Sequence, residues 1–142
     1  KRFDQVIAID TSKEMIGISQ KVVAENKLGN VDLVHGDTGS ALEKGITADC
    51  ITLNMVLHHT PDPAAVFNDL SRLLTSEGVL LVTELCDHDQ SWAHESCGDL
   101  WLGFEPNDLS GWASAASLRE GESLYLAQRN GFQVQLRQFF KK

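Results

Sequence analysis

No G-x-G-x-x-G sequence occurs anywhere in the 142 residues, so the backbone turn that cradles a dinucleotide pyrophosphate at a helix N-terminus is missing from this stretch. Cysteine is scarce. Cys50, Cys86 and Cys97 cannot all pair and none stands in a C-x-x-C spacing, which opposes a disulfide scaffold and fits a reducing cytoplasm. Basic residues are few as well: 12 Lys and Arg against 20 Asp and Glu give a net charge of -8. With no basic surplus to displace counterions, broad binding to nucleic acid or to an anionic membrane surface is not expected. Small molecules or other proteins are the expected partners. No apolar run approaches the roughly 20 residues that span a bilayer, and no charged leader precedes a signal-type segment. The chain lacks an initiator Met and opens inside what reads as a strand. We therefore expect one N-terminally truncated domain over residues 1–142, soluble and cytoplasmic, with no repeat or linker.

What is present alternates. Val6-Ile7-Ala8-Ile9-Asp10 is a branched apolar run ending in a carboxylate, the pattern of a strand buried on both faces. Thr11 followed by Glu14 reads as a capping box for a helix from Ser12 to about Leu28, with Met15, Ile18 and Val22 on its inner stripe. Val31 to His35 is a second strand, and Gly36-Asp37-Thr38 delivers another acid to its end before a short helix over Ser40 to Lys44. Ala48 to Asn54 is a third strand, Met55 to Thr60 a loop or short turn, and Asp62-Pro63 opens a helix that stops near Gly78. Val79 to Thr83 is a fourth strand with Glu84 at its tip. Such alternation predicts an α/β, Rossmann-like, doubly wound and mostly parallel sheet. Leu85 to Phe104 breaks the rhythm and reads as a helix-bearing insertion. Pro106 to about Ala116 is a helix, and alternation about Asn130-Gly131 predicts a C-terminal antiparallel hairpin.

Polar residues at successive strand tips are the candidate site, because open α/β sheets bind ligands beyond their carboxyl ends. Asp10 can accept both hydroxyls of a ribose. Asp37 can accept from an exocyclic amino group, Asn54 can offer its carbonyl, and Met55 and Val56 can pack on a base. Each also has a plain structural reading as cap, turn or core. His58 and His59 can line a substrate mouth; a shared metal is not expected, since neighbours on an extended stretch point oppositely. Cys86-Asp87-His88-Asp89 through His94 to Cys97-Gly98-Asp99 is dense in ligand-type residues, but its spacing matches no standard zinc pattern. We read it as a substrate lid. Cys97 has no identifiable partner as a nucleophile, and no general base stands out.

With these residues in place, the chain resembles the class I S-adenosylmethionine-dependent methyltransferases from the family's second strand onward. Ile7-Ala8-Ile9-Asp10-Thr11-Ser12 with Met15 is similar to the motif whose acid holds the cofactor ribose. Gly36-Asp37-Thr38 resembles the motif whose Asp meets the adenine amino group. Asn54-Met55-Val56-Leu57-His58-His59 with Pro61-Asp62-Pro63 is similar to the stretch lining the adenine and methionine sides. The resemblance thus implies S-adenosyl-L-methionine as cofactor, contacts from Asp10, Thr11, Met15, Gly36, Asp37, Thr38, Asn54 and Met55, and a small-molecule acceptor near His58, His59 and His88. Within the superfamily, His88-Asp89, Trp92, Gly98-Asp99, Leu102-Gly103-Phe104 and Asn130-Gly131-Phe132 look like methyltransferase domains fused behind arsenic-repressor-type winged-helix regulators. The family's glycine-rich first motif is absent here. Two alternatives stand beside this reading. One is a nicotinamide-dinucleotide oxidoreductase, against which the closing hairpin argues; the other is a non-catalytic sensing or dimerising module of a transcription regulator. With the first strand absent, the strands on either side of it are expected to leave a gap, close up, or pair with another molecule as a homo-oligomer.

Overall fold

A computed structural model describes residues 3–142, and its contacts divide the chain into a unit ending at Ile46 and a unit running from Thr47 to Lys142. In the first, strands β1 (Val6–Asp10) and β2 (Val31–His35) pair in parallel, with Val6 opposite Val31 and Asp10 opposite His35. The connection is helix α1 (Lys13–Glu25). Its cap is Ser12, one residue beyond the expected Thr11. The Asp10 carboxylate accepts the Ser12 N–H at 2.8 Å, which turns the chain at Thr11 and moves the helix start along by one. The helix also ends before the expected Leu28, because Lys27 takes a left-handed φ of 51°. Met15, Ile18 and Val22, expected to face inward, are 46, 47 and 48 % exposed. A ladder of two strands about 5 Å apart is too narrow to enclose a helix stripe of roughly 100°. Helix α2 (Thr38–Glu43) starts ahead of the expected Ser40, capped by Asp37, and ends one residue before the expected Lys44, with Gly45 following at φ 67°.

In the second unit, β3 (Ala48–Asn54), helix α3 (Pro63–Leu73), β4 (Leu74–Leu85), helices α4 (Trp92–Cys97) and α5 (Pro106–Ala115), and strands β5 (Leu118–Ala127) and β6 (Gln133–Lys141) follow in order. The sheet order is β3-β4-β6-β5, with β3 parallel to β4 and both hairpin contacts antiparallel. Among the described residues the strands form one ladder of two and one of four. Asp62 caps α3 by accepting from Ala65 N–H, with Pro63 at the first helical position as expected. The helix stops at Leu73, not near Gly78. A Cβ on Gly78 would lie 2.8 Å from Leu74 Cδ2, so residues 75–78 bulge out of register before β4 resumes at Val79.

The core of this unit packs α3 and α5 against the sheet through Phe67, Leu70, Leu80, Leu109 and Phe139. Phe67 meets Phe139 edge-on at 5.6 Å, and Trp112 does the same to Phe104 at 5.2 Å. Arg137 is buried on β6 and donates to Pro106 O and Ser110 Oγ of α5 and to Gln135 Oε1. Through Pro106 and Ser110 it ties the helix to the hairpin. The hairpin loop is one residue longer than the Asn130-Gly131 pair implies. Gln128 N–H donates to Phe132 O around Arg129, Asn130 and Gly131, whose φ of 87° places a glycine at the left-handed position that such loops require. Strand β5 is the outer edge, with Leu124 and Leu126 exposed.

Phe139→Ala is expected to lower unfolding stability by about 3–5 kcal/mol in urea titrations, since it leaves a cavity against Phe67. Leu124→Ser on the open edge is expected to stay within about 0.5 kcal/mol of the parent.

Candidate functional site

At the carboxyl edge of the two-stranded ladder, the elements present two carboxylates. Asp10 ends β1, and its backbone carbonyl accepts the Gly36 N–H that follows β2. Asp37 Oδ1 accepts both Ser40 N–H at 2.8 Å and Ser40 Oγ–H at 2.9 Å. The Ser40 bonds hold the Asp37 carboxyl below its usual range. Both acids accept through Oδ1: Asp10 turns the chain ahead of the Ser12 cap, Asp37 caps α2, and each keeps acceptor capacity. Gly36 allows the crowded turn, because a Cβ there would sit 2.8 Å from Ser40. Thr11 contributes its carbonyl to the His35 Nε2 at 2.9 Å, Thr38 is the first residue of α2, and Met15 is exposed.

The second unit builds a different set at the ends of β3 and β4. Asn54 closes β3 opposite Thr83. Met55 follows with φ 54°, a strained backbone for a side-chain-bearing residue, held by its N–H donating to Thr83 O. Leu57–His59 then forms a 3-10 turn, not the extended stretch expected. Successive side chains in such a turn diverge by roughly 120° and do not oppose, so the two imidazoles stack at 4.1 Å and 49°.

His58 is buried against a fully buried Glu84 at the tip of β4, with Nδ1 to Oε1 at 2.5 Å. An ionised carboxylate only accepts, so Nδ1 donates and Nε2 is left to face away. The Glu84 hydrogen bond raises the His58 pKa above its ordinary value; burial opposes this, and the charges of Glu84 and Asp99 add to it. Glu84 also accepts from Leu85 N–H at 2.8 Å. Asp99 comes from the insertion: its Oδ1 lies 3.9 Å from His58 Nε2 and 3.6 Å from His59 Nδ1, and makes no hydrogen bond among the described residues. The loop carrying it is clipped to the histidine turn, with Leu100 N–H and Trp101 N–H both donating to His58 O.

These side chains border a cavity of about 310 Å³ lined by Met55, His58, His59, Trp92, Asp99 and Phe132, among others. The insertion contributes Trp92, Ala93, Cys97 and Asp99 to this lining. His88 is not among its lining residues: the ring packs edge-on to Phe132 and Nδ1 accepts from Gln90 N–H. Glu84 and Asp99 carried no assigned role in the sequence reading. The sequence places Glu84 at the tip of the fourth strand and Asp99 in the ligand-rich insertion, but their pairing with His58 is a tertiary fact.

A family model described as a methyltransferase domain matches residues 1–136, and the chain belongs to that family. Among curated proteins it is similar to the demethylmenaquinone methyltransferases of Geobacillus sp. (strain WCH70) and Shouchella clausii (strain KSM-K16). It is 29% identical to each, over 56% of this chain and 34% of theirs. The matched stretch thus spans about a third of those relatives' length. Similar solved structures include a putative methyltransferase from Bacillus halodurans C-125, with TM-score 0.77 and 12% identity over 97% of this chain and 84% of that one. The N-methyltransferase NodS from Bradyrhizobium japonicum WM9, in complex with S-adenosyl-L-homocysteine, gives 0.74 and 16% over 95% and 65%. The [4+2]-cyclase SpnF gives 0.81 and 14% over 96% and 66%. The fold is therefore the Rossmann-like α/β fold of these proteins with its antiparallel C-terminal hairpin.

Removing the Glu84 carboxylate strands several buried donors at once. Glu84→Ala is expected to cost about 3 kcal/mol or more in chemical denaturation. Glu120→Ala, which removes the half-exposed partner of Arg137, is expected to cost about 1 kcal/mol or less.

Proposed function

We propose that this chain is the catalytic domain of a cytoplasmic enzyme that moves a methyl group from S-adenosyl-L-methionine to a small-molecule acceptor. Family membership sets the class, and the observation that carries the reading to residues is the acceptor pair Asp10 and Asp37 at one edge of a parallel ladder. An adenosine offers ribose O–H and adenine N–H donors, and carboxylates with unused acceptor capacity suit both. In this reading Asp10 holds the ribose and Asp37 the amino group, with Gly36, Thr11, Thr38 and Met15 shaping their surroundings. The bound cofactor supplies a methyl group activated on a sulfonium. The protein's own residues have little covalent work to do: they hold the acceptor in line and exclude water.

The acceptor belongs in the cavity beside His58 and His59. Its volume of about 310 Å³ is at the small end of ligand pockets, which favours a compact acceptor. The finer kinship, to methyltransferase domains fused behind arsenic-repressor-type regulators, is part of the same proposal. It is supported by the weight its residues bear here. Gly103 has φ 79°, a Cβ there would lie 2.2 Å from Cys86 O, and Gly98-Asp99 carries the acid that faces both histidines.

The test is calorimetric titration of the full-length protein with S-adenosylmethionine and, separately, with reduced nicotinamide dinucleotide. Binding of the first and not the second is expected. Asp10→Ala should weaken it by about 10- to 100-fold, the loss of one charge-assisted pair of hydrogen bonds. Asp37→Ala should weaken it about 10-fold. Unchanged affinity in Asp10→Ala would remove the ribose role.

A further inference from the structure

We infer that His58, His59 and Asp99 form a binding site for one divalent transition-metal ion of the zinc class. One potential ligand atom from each of the three residues lies within 4.8 Å of the other two. A tetrahedral metal with bonds of about 2.0–2.1 Å places its ligand atoms roughly 3.4 Å apart. The Asp99 Oδ1 separations of 3.6 Å to His59 Nδ1 and 3.9 Å to His58 Nε2 need shifts of only a few tenths of an ångström. Two imidazole nitrogens and one carboxylate select zinc-like ions over magnesium or calcium, which prefer all-oxygen sets.

Two further observations point to a cation. The Asp99 side chain is buried and its Oδ1 has no hydrogen-bond partner among the described residues, an arrangement that is costly unless something positive meets it. Glu84, wholly buried, accepts the His58 Nδ1–H in a 2.5 Å hydrogen bond and leaves Nε2 as the nitrogen on the Asp99 side. A carboxylate that orients a ligating histidine through its other nitrogen is a recurrent support of zinc sites. An ion bound between the three side chains gives Asp99 Oδ1 its missing partner.

The backbone supports this geometry independently of any ligand. The 3-10 turn brings adjacent histidines onto the same acid, and the Leu100 and Trp101 N–H groups on His58 O fix Asp99 opposite them. Three protein ligands leave one position open, toward the cavity that His58, His59 and Asp99 line. The ligand class fitting that position is an anionic or ionisable oxygen or sulfur on a small molecule. The metal site itself does not rest on the methyl-transfer reading, although its open position lies where that reading puts the acceptor.

The experiment uses the full-length protein stripped with a chelator and titrated with zinc by calorimetry and with cobalt(II) by absorption. One ion per chain is expected, with micromolar or tighter affinity and cobalt ligand-field bands typical of mixed nitrogen and oxygen ligation. Asp99→Asn and His59→Gln should each weaken zinc by at least 10-fold, while His35→Gln in the first unit should not change it. His59 is half-exposed, so its variant folds even where a change at buried Asp99 perturbs the insertion. Absence of stoichiometric binding, or equal affinity in His59→Gln and the parent, overturns the site. Because zinc binding is read without cofactor or turnover, it fails or succeeds separately from S-adenosylmethionine binding.

Discussion

The second unit is arranged around the need to satisfy one buried carboxylate. Glu84 ends β4 with no exposure to water, and an unpaired ionised acid in that position would cost several kcal/mol. Its donors are the next backbone N–H and the imidazole of His58, both within 2.8 Å, and the His58 backbone N–H at 3.4 Å. Meeting that requirement fixes the tautomer of His58, and the turn that carries His58 then fixes the start of the insertion through Leu100 and Trp101. One strand-end acid therefore determines where the histidine ring stands, how the 3-10 turn lies and which face of the insertion meets it.

The same device is used more lightly at the other carboxyl edge. Asp10 is half-buried and Asp37 exposed; Asp10 turns the chain into the Ser12 cap of α1, and Asp37 caps α2 itself. Burial separates the two uses. An acid that keeps access to solvent retains acceptor capacity for an incoming ligand, whereas a buried one spends that capacity on the protein. The fold shared with methyltransferases and with a cyclase leaves open which chemistry these edges host, so residues and not topology carry the functional reading.

Strand identities were legible because hydrophobic runs with polar tips obey a short period: β1, β2 and β3 lie within the bounds read from sequence. The α3 start was legible because Asp-Pro has a mechanical meaning at a helix N-terminus. Boundaries failed where a side chain redirected the backbone. The Asp10 carboxylate displaced the α1 cap to Ser12, and the crowding at Gly78 placed a bulge where a helix was expected. The relation of His58 to His59 failed for another reason: whether neighbours oppose or converge depends on a local 3-10 geometry that no period reveals. Glu84 and Asp99 were invisible as a site because their meaning comes from contacts spanning the turn, a strand tip and an insertion.

That insertion has a particular consequence for specificity. The carboxyl-edge acids of the first unit are placed by strands and caps, elements whose geometry is set by short-range hydrogen bonds. The cavity wall of the second unit is placed by residues 86–104, anchored at its ends by the Cys86–Phe104 bridge and the tight approach at Gly103. Between those anchors, substitutions at Trp92 or Cys97 can reshape the cavity while the core pairs Phe67–Phe139 and Phe104–Trp112 stay intact. The shape of the cavity can thus change without disturbing the strand tips, provided Gly103 and the Glu84–His58 contact are kept, because those two hold the wall in place.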